Sequence, residues 1–569
     1  MEGISPMAHR NTPPPANGYD ALLNNDVYVT KIGGDNAGKL ASNANIVHRR
    51  AQNMRTQILA VSAIRSSHPS FSDMTHPFVI EKELATNGKR KPGFNTTSHL
   101  IAIARALARN DRPAAEDMAG RISAFTRSIV DGEVIQDGLM EDRERTRARL
   151  QGCITRTIDD PDDPHSLQSL ISNAHPAHIR HVGEDWLLTE GNHSQSITGI
   201  GERLAQSVTR TYFEGRNVPS AELDNGDEQT IYSMMWQGDV SGARGQLCEN
   251  LRQSLQRTLS SRRVLIAGGY APPLGTERGY SDKTGALIAH VVHQLGQQIV
   301  YLIEKAKPIM SADPNNVHGT RVIPNMTPFL AKELFGNARG ADAGALHPEA
   351  LDMLAEDDIP IVVLNAEEEP APHNTTLIQA FNPEPNGVEI VHSRSVPFAL
   401  QIVTGKMIGQ TGFEEDIARW FAEHNVSIQH IATSEGSISY TFDNGKESAA
   451  TVAALRQHVH DRYGVNGEEV IQAVDHLAVV YCLGNDMRTP GQAEKATFAL
   501  HGAGVNIRMI TQGLNQSVMA FLVDKDDASR AVQALHDIFI TLPDGVYRIL
   551  MDETRLRIAG AVTALRQQM

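Results

Sequence analysis

Cysteine is scarce in this sequence: the 569 residues include only Cys153, Cys248 and Cys482, with no CxxC pair and no histidine at a metal-ligand spacing. This scarcity excludes a disulfide framework and a zinc ribbon, and it fits a reducing cytoplasm. Apolar runs such as Ile361–Leu364 are strand-sized, well short of the ~20 residues of a membrane span. Positive charge is also in deficit. Fifty-two Lys and Arg against 67 Asp and Glu leave a net charge of −15, which argues against a general nucleic-acid or anionic-membrane binder.

The composition that remains is that of a globular protein, with 41% hydrophobic and 21% charged residues. Its length calls for several domains. Residues 1–25 are polar, carry three consecutive prolines and predict a flexible tail.

A first domain is predicted over residues 26–390. It opens with a strand, a glycine turn, a helix and a buried strand, at Val27–Thr30, Gly33–Gly34, Leu40–Arg55 and Thr56–Ala63. This βαβ order, with further apolar strands near 264–267, 298–303 and 361–364, predicts an α/β fold with a mainly parallel sheet. Residues 68–190 are less regular, and they predict an insert made of a solvated helix and a mobile loop.

The last third of the chain repeats one pattern. The order β-α-β-β-α over residues 395–470 recurs over 475–545, and the similar segments Asn425–Ile428 and Gly504–Ile507 occupy the same place in each copy. An internal duplication of a ferredoxin-like α+β unit explains the shared order and loops better than two unrelated pieces would. Residues 546–569 form a C-terminal segment.

The segment Lys31–Gly34 (KIGG) directly follows a strand. Paired glycines let backbone N–H groups approach an anion, while Lys31 supplies a positive charge. Taken alone, such a loop is more often a tight turn than a phosphate site.

A second segment, Arg278–Thr284 (RGYSDKT), stands at a strand–helix junction. Ser281 or Asp282 would serve as a helix N-cap. Alternatively, Arg278 suits a carboxylate and Asp282 an ammonium group, which are the two charges of an amino acid. A third segment, Ser311–Pro314 (SADP), is by itself ordinary turn chemistry.

In this order and at these intervals, the three segments resemble the KFGG, RGGSDxT and TxDP motifs of the aspartate kinases in the amino-acid-kinase superfamily. Further resemblances are AVSA at Ala60–Ala63, GERL at Gly201–Leu204, LHP at Leu346–Pro348 and, to the first ACT domain, NVSIQHIATSE at Asn425–Glu435. The resemblance spans residues 27–540 and looks strongest to a divergent branch that includes enzymes of ectoine-producing bacteria. It implies an amino-acid-kinase domain followed by two ACT domains.

The resemblance implies that the β-carboxylate of L-aspartate attacks the γ-phosphorus of ATP, accompanied by Mg²⁺, to give 4-phospho-L-aspartate. No residue of the chain is assigned as a metal ligand. The implied site residues are catalytic (Lys31, Gly33, Gly34, Asp282), substrate-binding (Ser62, Glu202, Arg278, Ser281, Asp282) and nucleotide-binding (Lys31, Gly34, Lys305, Lys307, Asp313).

Four departures from the family pattern change the charge near the expected phosphates. The family's Thr-Ser, Thr-Asp, arginine and lysine are replaced by Asp35-Asn36, Glu304-Lys305, Asn315 and Gly344. Lys305 or Lys307 would restore a positive charge from the opposite side. The departures leave two alternatives open: a weak or inactive homologue with a binding or regulatory role, and a kinase for another amino acid.

The same resemblance implies an amino-acid effector site in the ACT pair and a homodimer or higher homo-oligomer. The effector site would lie between an effector loop (Met407, Gly412, Phe413) and a second wall (Gln429, Ser434, Glu435). The family's acidic residue is absent at Gln429, so lysine is expected to inhibit weakly or not at all. A purely oligomerising ACT pair is the alternative.

Overall fold

The computed structural model describes residues 22, 25–32, 37–51, 56–66, 68–80, 93–182, 185–190, 193–197, 199–223, 228–259, 264–269, 280–305, 307–335, 346–365, 368–381, 387–408, 411–424, 426–442 and 449–542. The chain divides into two compact units, Met1–Pro308 with Ala338–Ala380, and Ile309–Asn337 with Phe381–Met569. In the described part, no helix is long and apolar enough to cross a membrane.

The described strands, in chain order, are β1 (Val27–Ile32), β2 (Thr56–Val61), β3 (Arg65–Ser66), β4 (Phe94–Asn95), β5 (Ile179–Val182), β6 (Asp185–Glu190), β7 (His193–Ser196), β8 (Ser220–Glu222), β9 (Val264–Gly268), β10 (Ile299–Lys305), β11 (Asn325–Met326), β12 (Ile361–Asn365), β13 (Thr375–Ile378), β14 (Ile390–Val403), β15 (Ile428–Ser434), β16 (Ser437–Phe442), β17 (Ile471–Leu483), β18 (Met509–Gln512) and β19 (Val518–Asp524).

The described α-helices are α1 (Leu40–Ala51), α2 (Thr96–Ala108), α3 (Arg112–Gln136), α4 (Arg143–Ile154), α5 (Leu167–Asn173), α6 (Ile200–Gly215), α7 (Glu228–Trp236), α8 (Val240–Thr258), α9 (Tyr280–Gln294), α10 (Pro328–Phe335), α11 (Pro348–Glu356), α12 (Phe413–Glu423), α13 (Ala449–Tyr463), α14 (Gly467–Val470), α15 (Gln492–Gly502) and α16 (Ala528–His536).

The first unit contains a mainly parallel sheet. Within this unit its strand order is β13-β12-β10-β1-β2-β9-β8, and all neighbours are parallel except β12 and β13. The strands are almost continuously apolar because both faces are buried. Tyr28 and Leu302 contribute to one core, and Ile32 and Leu59 to another. The predicted α/β class is confirmed.

Residues 93–182 differ from the irregular insert that the sequence predicts. They form helices α2 to α5, and Met118, Ile122 and Phe125 on α3 join the same core as Leu59 on the central strand β2. Helix α3 begins at a capping interaction in which Asp111 Oδ1 accepts a hydrogen bond from the Ala114 N–H. Its apolar residues recur every three to four positions, which places them on one buried face.

The burial of α3 predicts a large loss of stability when Phe125 is truncated. Phe125 is 0% exposed, stacks on Phe94 with ring centroids 4.3 Å apart and meets Phe71 edge-on at 5.2 Å. We expect Phe125→Ala to lower the free energy of unfolding by about 3–5 kcal/mol, measured by urea denaturation. Ile135 on the same helix is 64% exposed, so Ile135→Ala is the matched control and should change it by about 0.5 kcal/mol or less. A small Phe125→Ala effect would mean that the helical layer is not part of the core.

The second unit contains a six-stranded antiparallel sheet in the order β15-β16-β14-β17-β19-β18. Strands β14 and β17 are long, and each of them runs through both halves of this sheet. Ile390–Val396 pairs with Leu477–Leu483, whereas Phe398–Ile402 pairs with Ile471–Asp475. His476, whose φ of 55° is left-handed, separates the two segments of β17. The two predicted ferredoxin-like units are therefore joined through an exchange of strand segments.

Each half of the second unit has its own core. Helix α12 contributes Phe413 and Phe421 to one of them, and helices α15 and α16 contribute Leu500 and Leu535 to the other. Residues 309–337 also belong to the second unit. Their Ala312 lies in the second core, although neighbouring parts of the sequence belong to the first unit.

Candidate functional site

The carboxyl ends of four adjacent parallel strands define one edge of the first unit's sheet. Lys31 lies near the end of β1, Ser62 follows β2, Gly269 follows β9 and Lys305 ends β10. The strand ends are fixed by their backbones, since Ser62 N donates to Ile32 O at 3.0 Å and Gly269 N donates to the last carbonyl of β2 at 2.7 Å. Ligand sites in open α/β sheets lie at this edge.

Helix α9 starts directly above the strand ends because Gly269 leaves room for it. A Cβ at Gly269 would lie 2.7 Å from Ser281 Cβ and 2.7 Å from Val61 O, which is too close for any other residue. Thr284 Oγ1 donates to Gly269 O at 2.9 Å and ties the first turn to β9. Ser281 and Asp282 therefore lie at the sheet edge.

An ion pair links β1 to α9. Lys31 Nζ lies 2.8 Å from Asp282 Oδ1, and the two side chains are 20% and 10% exposed. The second oxygen of the same carboxylate, Asp282 Oδ2, accepts a hydrogen bond from His347 N at 2.9 Å. Beside this pair, Ser62 Oγ donates to Ser281 Oγ at 2.7 Å. The structure thus brings Lys31, Ser62, Ser281 and Asp282 together.

Glu202 lies in the first turn of α6 and is buried. A Cβ at Gly268, the last residue of β9, would lie 3.7 Å from the Glu202 backbone, which places this turn beside the end of β9. The preceding Gly201 packs closely on the chain after β2, because a Cβ there would lie 2.9 Å from Ala63 Cβ. Glu202 therefore belongs to the same edge of the sheet as Ser62.

Lys305 ends β10, next to β1. The residue is exposed, yet nearby protein atoms remove part of the hydration of its ammonium group, and this desolvation lowers its pKa. The positive charge of Lys31 lowers the pKa further, whereas Asp282 raises it. Lys305 therefore shares the electrostatic environment of the Lys31–Asp282 pair. Lys307, two residues later, is exposed.

Three predicted site residues, Gly33, Gly34 and Arg278, lie outside the described residues, as do Asp35, Asn36 and Gly344. Their roles stay predictions.

Asp313 belongs to the second unit and has a local structural role. Its Oδ1 accepts the Asn315 N–H at 2.9 Å, and its Oδ2 accepts the Asn316 Nδ2–H at 2.6 Å, so the carboxylate caps its own turn. Just before it, the buried Ser311 Oγ lies 2.9 Å from His536 Nε2. The nucleotide-binding role of Asp313 stays a prediction.

Sequence reasoning missed two groups beside Asp282. The His347 backbone N–H holds the Asp282 carboxylate, and Lys283, with a side chain only 2% exposed, pairs with Glu349 at 2.8 Å. The sequence signal for Lys283 was its place in the motif RGYSDKT. A lysine is unusual there, because the dipole at a helix start favours acidic residues.

The two predicted walls of the effector site lie side by side in the second unit. Thr404 N donates to Gly436 O at 3.0 Å, so the loop carrying the buried Met407 adjoins the turn after Ser434 and Glu435. Of the other predicted residues, Gly412 is the N-cap of α12 with a left-handed φ of 87°, Phe413 is buried, and Ser434 Oγ lies 2.7 Å from Ser437 Oγ.

Gln429 is an extra residue in the pairing of β15 with β16, because the register shifts between Ile428 and His430. Its Nε2 is buried and has no hydrogen-bond partner among the described residues. A buried amide with unused hydrogen-bonding capacity is suited to meet a ligand.

Two histidines in this unit have strongly lowered pKa values. Burial, reinforced by the positive charge of Arg394, lowers the pKa of His392 and of His430 to about 4 each. The His392 ring stacks on Tyr481 with centroids 4.7 Å apart, and the His430 ring lies 5.5 Å from Tyr481. Both imidazoles are therefore neutral in the folded protein near neutral pH.

These two pKa shifts predict acid sensitivity. The unfolded chain takes up protons on these histidines below about pH 6.5, whereas the folded chain does so only near pH 4, so stability falls as the pH drops from 6.5 toward 4. Each of the two histidines contributes up to about 3 kcal/mol to this loss of folding stability. Thermal unfolding followed across this range should show a flatter dependence for His392→Asn than for the control His501→Gln, which replaces an exposed histidine. Identical pH profiles would contradict the prediction.

Comparisons with known proteins agree with this architecture. The amino acid kinase family profile matches residues 93–365, and an ACT domain profile matches residues 480–539. Aspartokinase 3, chloroplastic, of Arabidopsis thaliana is 30% identical over 266 residues, covering 46% of this chain and 45% of that protein. Aspartate kinase Ask_Ect of Stutzerimonas stutzeri (strain A1501) is 27% identical over 286 residues, covering 49% and 57%. The chain thus spans about half the length of these curated relatives.

The solved structure of E. coli aspartokinase III in complex with aspartate and ADP has the same fold, with a TM-score of 0.56 at 20% identity over 90% of this chain and 99% of that one. Fold and profiles together show an amino acid kinase domain and an ACT-type domain. The curated relatives named above are aspartokinases, and the chain is similar to them over about half of its length.

Proposed function

We propose that this protein phosphorylates the side-chain carboxylate of L-aspartate with ATP, giving 4-phospho-L-aspartate and ADP. One observation carries the proposal: the Lys31–Asp282 ion pair, 2.8 Å long, at the carboxyl edge of a parallel sheet beside two hydroxyl groups. Such a site offers a cation for a phosphoryl group and an anion for an ammonium group within one small area. The E. coli relative, whose structure holds aspartate and ADP, supports this choice of substrates.

In the proposed reaction, the β-carboxylate of aspartate attacks the γ-phosphorus of ATP. This nucleophile is already ionised at neutral pH, so the site needs no general base and works by positioning and charge neutralisation. Lys31 stabilises charge on the transferring phosphoryl group. The hydroxyl of Ser62 binds the side-chain carboxylate of aspartate and that of Ser281 also binds the substrate, while Glu202 and Asp282 attract its ammonium group. Lys305, whose pKa responds to Lys31, adds positive charge on the nucleotide side.

Mg²⁺ is proposed to enter with the nucleotide. The described residues include no group of three or more His, Cys, Asp or Glu that could hold a metal ion. Mg²⁺ in phosphoryl-transfer sites commonly keeps several waters and binds substrate phosphates with only one or two carboxylates. These residues are therefore compatible with Mg-ATP as a joint substrate.

The function is tested by measuring ATP-dependent acyl-hydroxamate formation across a panel of acidic amino acids. Turnover on L-aspartate supports the proposal. Turnover only on another acid would assign the chain to a different substrate, and absence of turnover on every acid would favour a non-catalytic homologue. The pathway that consumes the product is proposed to be biosynthesis of aspartate-derived amino acids or of an ectoine-type solute.

We further propose that the second unit binds an amino-acid effector beside Met407, Gln429 and Glu435, and that the protein is a homo-oligomer. The buried Nε2 of Gln429 supports effector binding. Oligomerisation is supported by Ile431 and Ile510, which lie on the outer strands β15 and β18 and are 49% and 50% exposed. Static light scattering of the full chain tests the oligomer.

The neutral Gln429 predicts weak lysine inhibition. An acid at this position would compensate an effector's ammonium group, whereas an amide offers only a dipole, a difference of about 1–2 kcal/mol. We therefore expect Gln429→Glu to bind lysine about 5–30-fold more tightly than wild type, measured by inhibition of hydroxamate formation and by thermal shift. The control is Gln512→Glu, at the exposed end of β18. Strong micromolar inhibition of the wild type by lysine would refute the prediction.

A further inference from the structure

The beginnings of α9 and α11 are joined by a closed ring of contacts. Asp282 Oδ2 accepts the His347 N–H at 2.9 Å, and His347 Nδ1 accepts the Glu349 N–H at 3.2 Å. Glu349 Oε2 then lies 2.8 Å from Lys283 Nζ. Because Lys283 is the neighbour of Asp282 in the chain, the ring closes on the residue that binds Lys31.

Lys283 occupies an unfavourable place for a lysine. Its side chain is 2% exposed, whereas that of its partner Glu349 is 62% exposed, so the burial cost falls on the ammonium group. It also lies in the first turn of α9, where the positive end of the helix dipole disfavours a cation. Glu349, by contrast, lies in the first turn of α11, where an anion is favoured. Lys283 therefore adds little to the stability of α9. Its contact with Glu349 instead fixes the start of α11.

We propose that Lys283 is a positioning residue for phosphoryl transfer. Through Glu349 it holds the first turn of α11, which keeps the His347 N–H on Asp282 Oδ2. With one oxygen held, the carboxylate does not rotate, and its other oxygen stays directed at Lys31 Nζ. The inference rests on the proposed function, in which Lys31 neutralises the transferring phosphoryl group.

Removing the lysine charge at constant side-chain length tests the ring. We expect Lys283→Met to lower kcat about 10- to 100-fold, because small displacements of a positioned group have effects of this size. KM values for aspartate and ATP should change by about threefold or less, since Lys283 touches neither substrate in this scheme. Glu349→Gln should lower kcat less, because its amide still accepts a hydrogen bond. The double variant should match Lys283→Met, since both changes break the same contact.

The matched control is Arg147→Met. It removes a cation from another ion pair of the first unit, Arg147 with Asp131 at 2.7 Å on α4 and α3, and should keep kcat within about twofold. A Lys283→Met variant with wild-type kcat would overturn the inference. So would a loss of activity that only follows the loss of folded protein, measured by circular dichroism.

A second readout does not depend on turnover. Acylation of Lys31 by an amine-reactive ester, followed by mass spectrometry, reports how firmly Asp282 holds its ammonium group. We expect labelling of Lys31 to be several-fold faster in Lys283→Met than in wild type or Arg147→Met. An unchanged rate of Lys31 labelling in Lys283→Met would contradict the proposed role of the ring of contacts. If the wild type phosphorylated no acidic amino acid while the labelling changed as expected, the proposed function would fail but the contacts through Lys283 would stand.

Discussion

Lys31→Met is expected to lower kcat by about a thousandfold, or about 4 kcal/mol of transition-state stabilisation. Lys31 is the cation that the site offers to the transferring phosphoryl group, and methionine keeps its length without its charge. The fold should survive, because Asp282 retains its hydrogen bond from His347 N and the Lys31 side chain is 20% exposed. Hydroxamate formation at saturating aspartate and ATP measures the effect.

The control for Lys31→Met is Arg252→Met, which removes a surface cation from α8. Arg252 Nε lies 3.7 Å from Glu249 in an exposed pair, whose loss should be nearly silent. Near-wild-type kcat for Lys31→Met would show that the phosphoryl group is bound elsewhere, and the function proposed for this edge of the sheet would then be wrong.

Asp282→Asn is expected to lower kcat/KM for aspartate by about 100- to 1000-fold. Asparagine keeps the size of the side chain but removes the charge that holds Lys31 Nζ at 2.8 Å and that attracts the substrate's ammonium group. KM for ATP should change little by comparison. Steady-state kinetics with each substrate varied in turn separate the two effects.

Two further variants sharpen this prediction. In the double variant Lys31→Met/Asp282→Asn, the loss should be much smaller than the product of the single losses, because both changes break one ion pair. Asp131→Asn is the matched control: it neutralises an aspartate that binds Arg147 at 2.7 Å on the helical layer. Fully multiplicative losses would mean that Lys31 and Asp282 act independently.

The sequence predicted the strands of the parallel sheet well, because buried parallel strands such as Thr56–Val61 are short, almost wholly apolar runs that end in turn residues. It failed on α3. This helix is 25 residues long, and charged residues are mixed with its buried ones, so its amphipathic pattern is easily taken for a solvated segment.

Contacts between distant parts of the chain could not be predicted from the sequence. The hydrogen bond from His347 N to Asp282 joins residues 65 positions apart, and no local preference encodes a backbone donor at that distance. The same holds for β14, which passes through Pro397. Proline is normally excluded from the interior of a sheet, so the sequence did not predict one continuous strand from Ile390 to Val403.

The exchange between β14 and β17 has a consequence for how the chain is made. Ile390–Val396 pairs with Leu477–Leu483. The first segment of β14 is therefore synthesised roughly eighty residues before its partner and stays unpaired until that partner leaves the ribosome. During this interval it is a strand with an open edge, and unpaired strand edges can pair with other chains. A chain that stops before residue 471 would keep that edge open permanently. We therefore expect truncations within the second unit to aggregate, whereas complete chains close the sheet themselves.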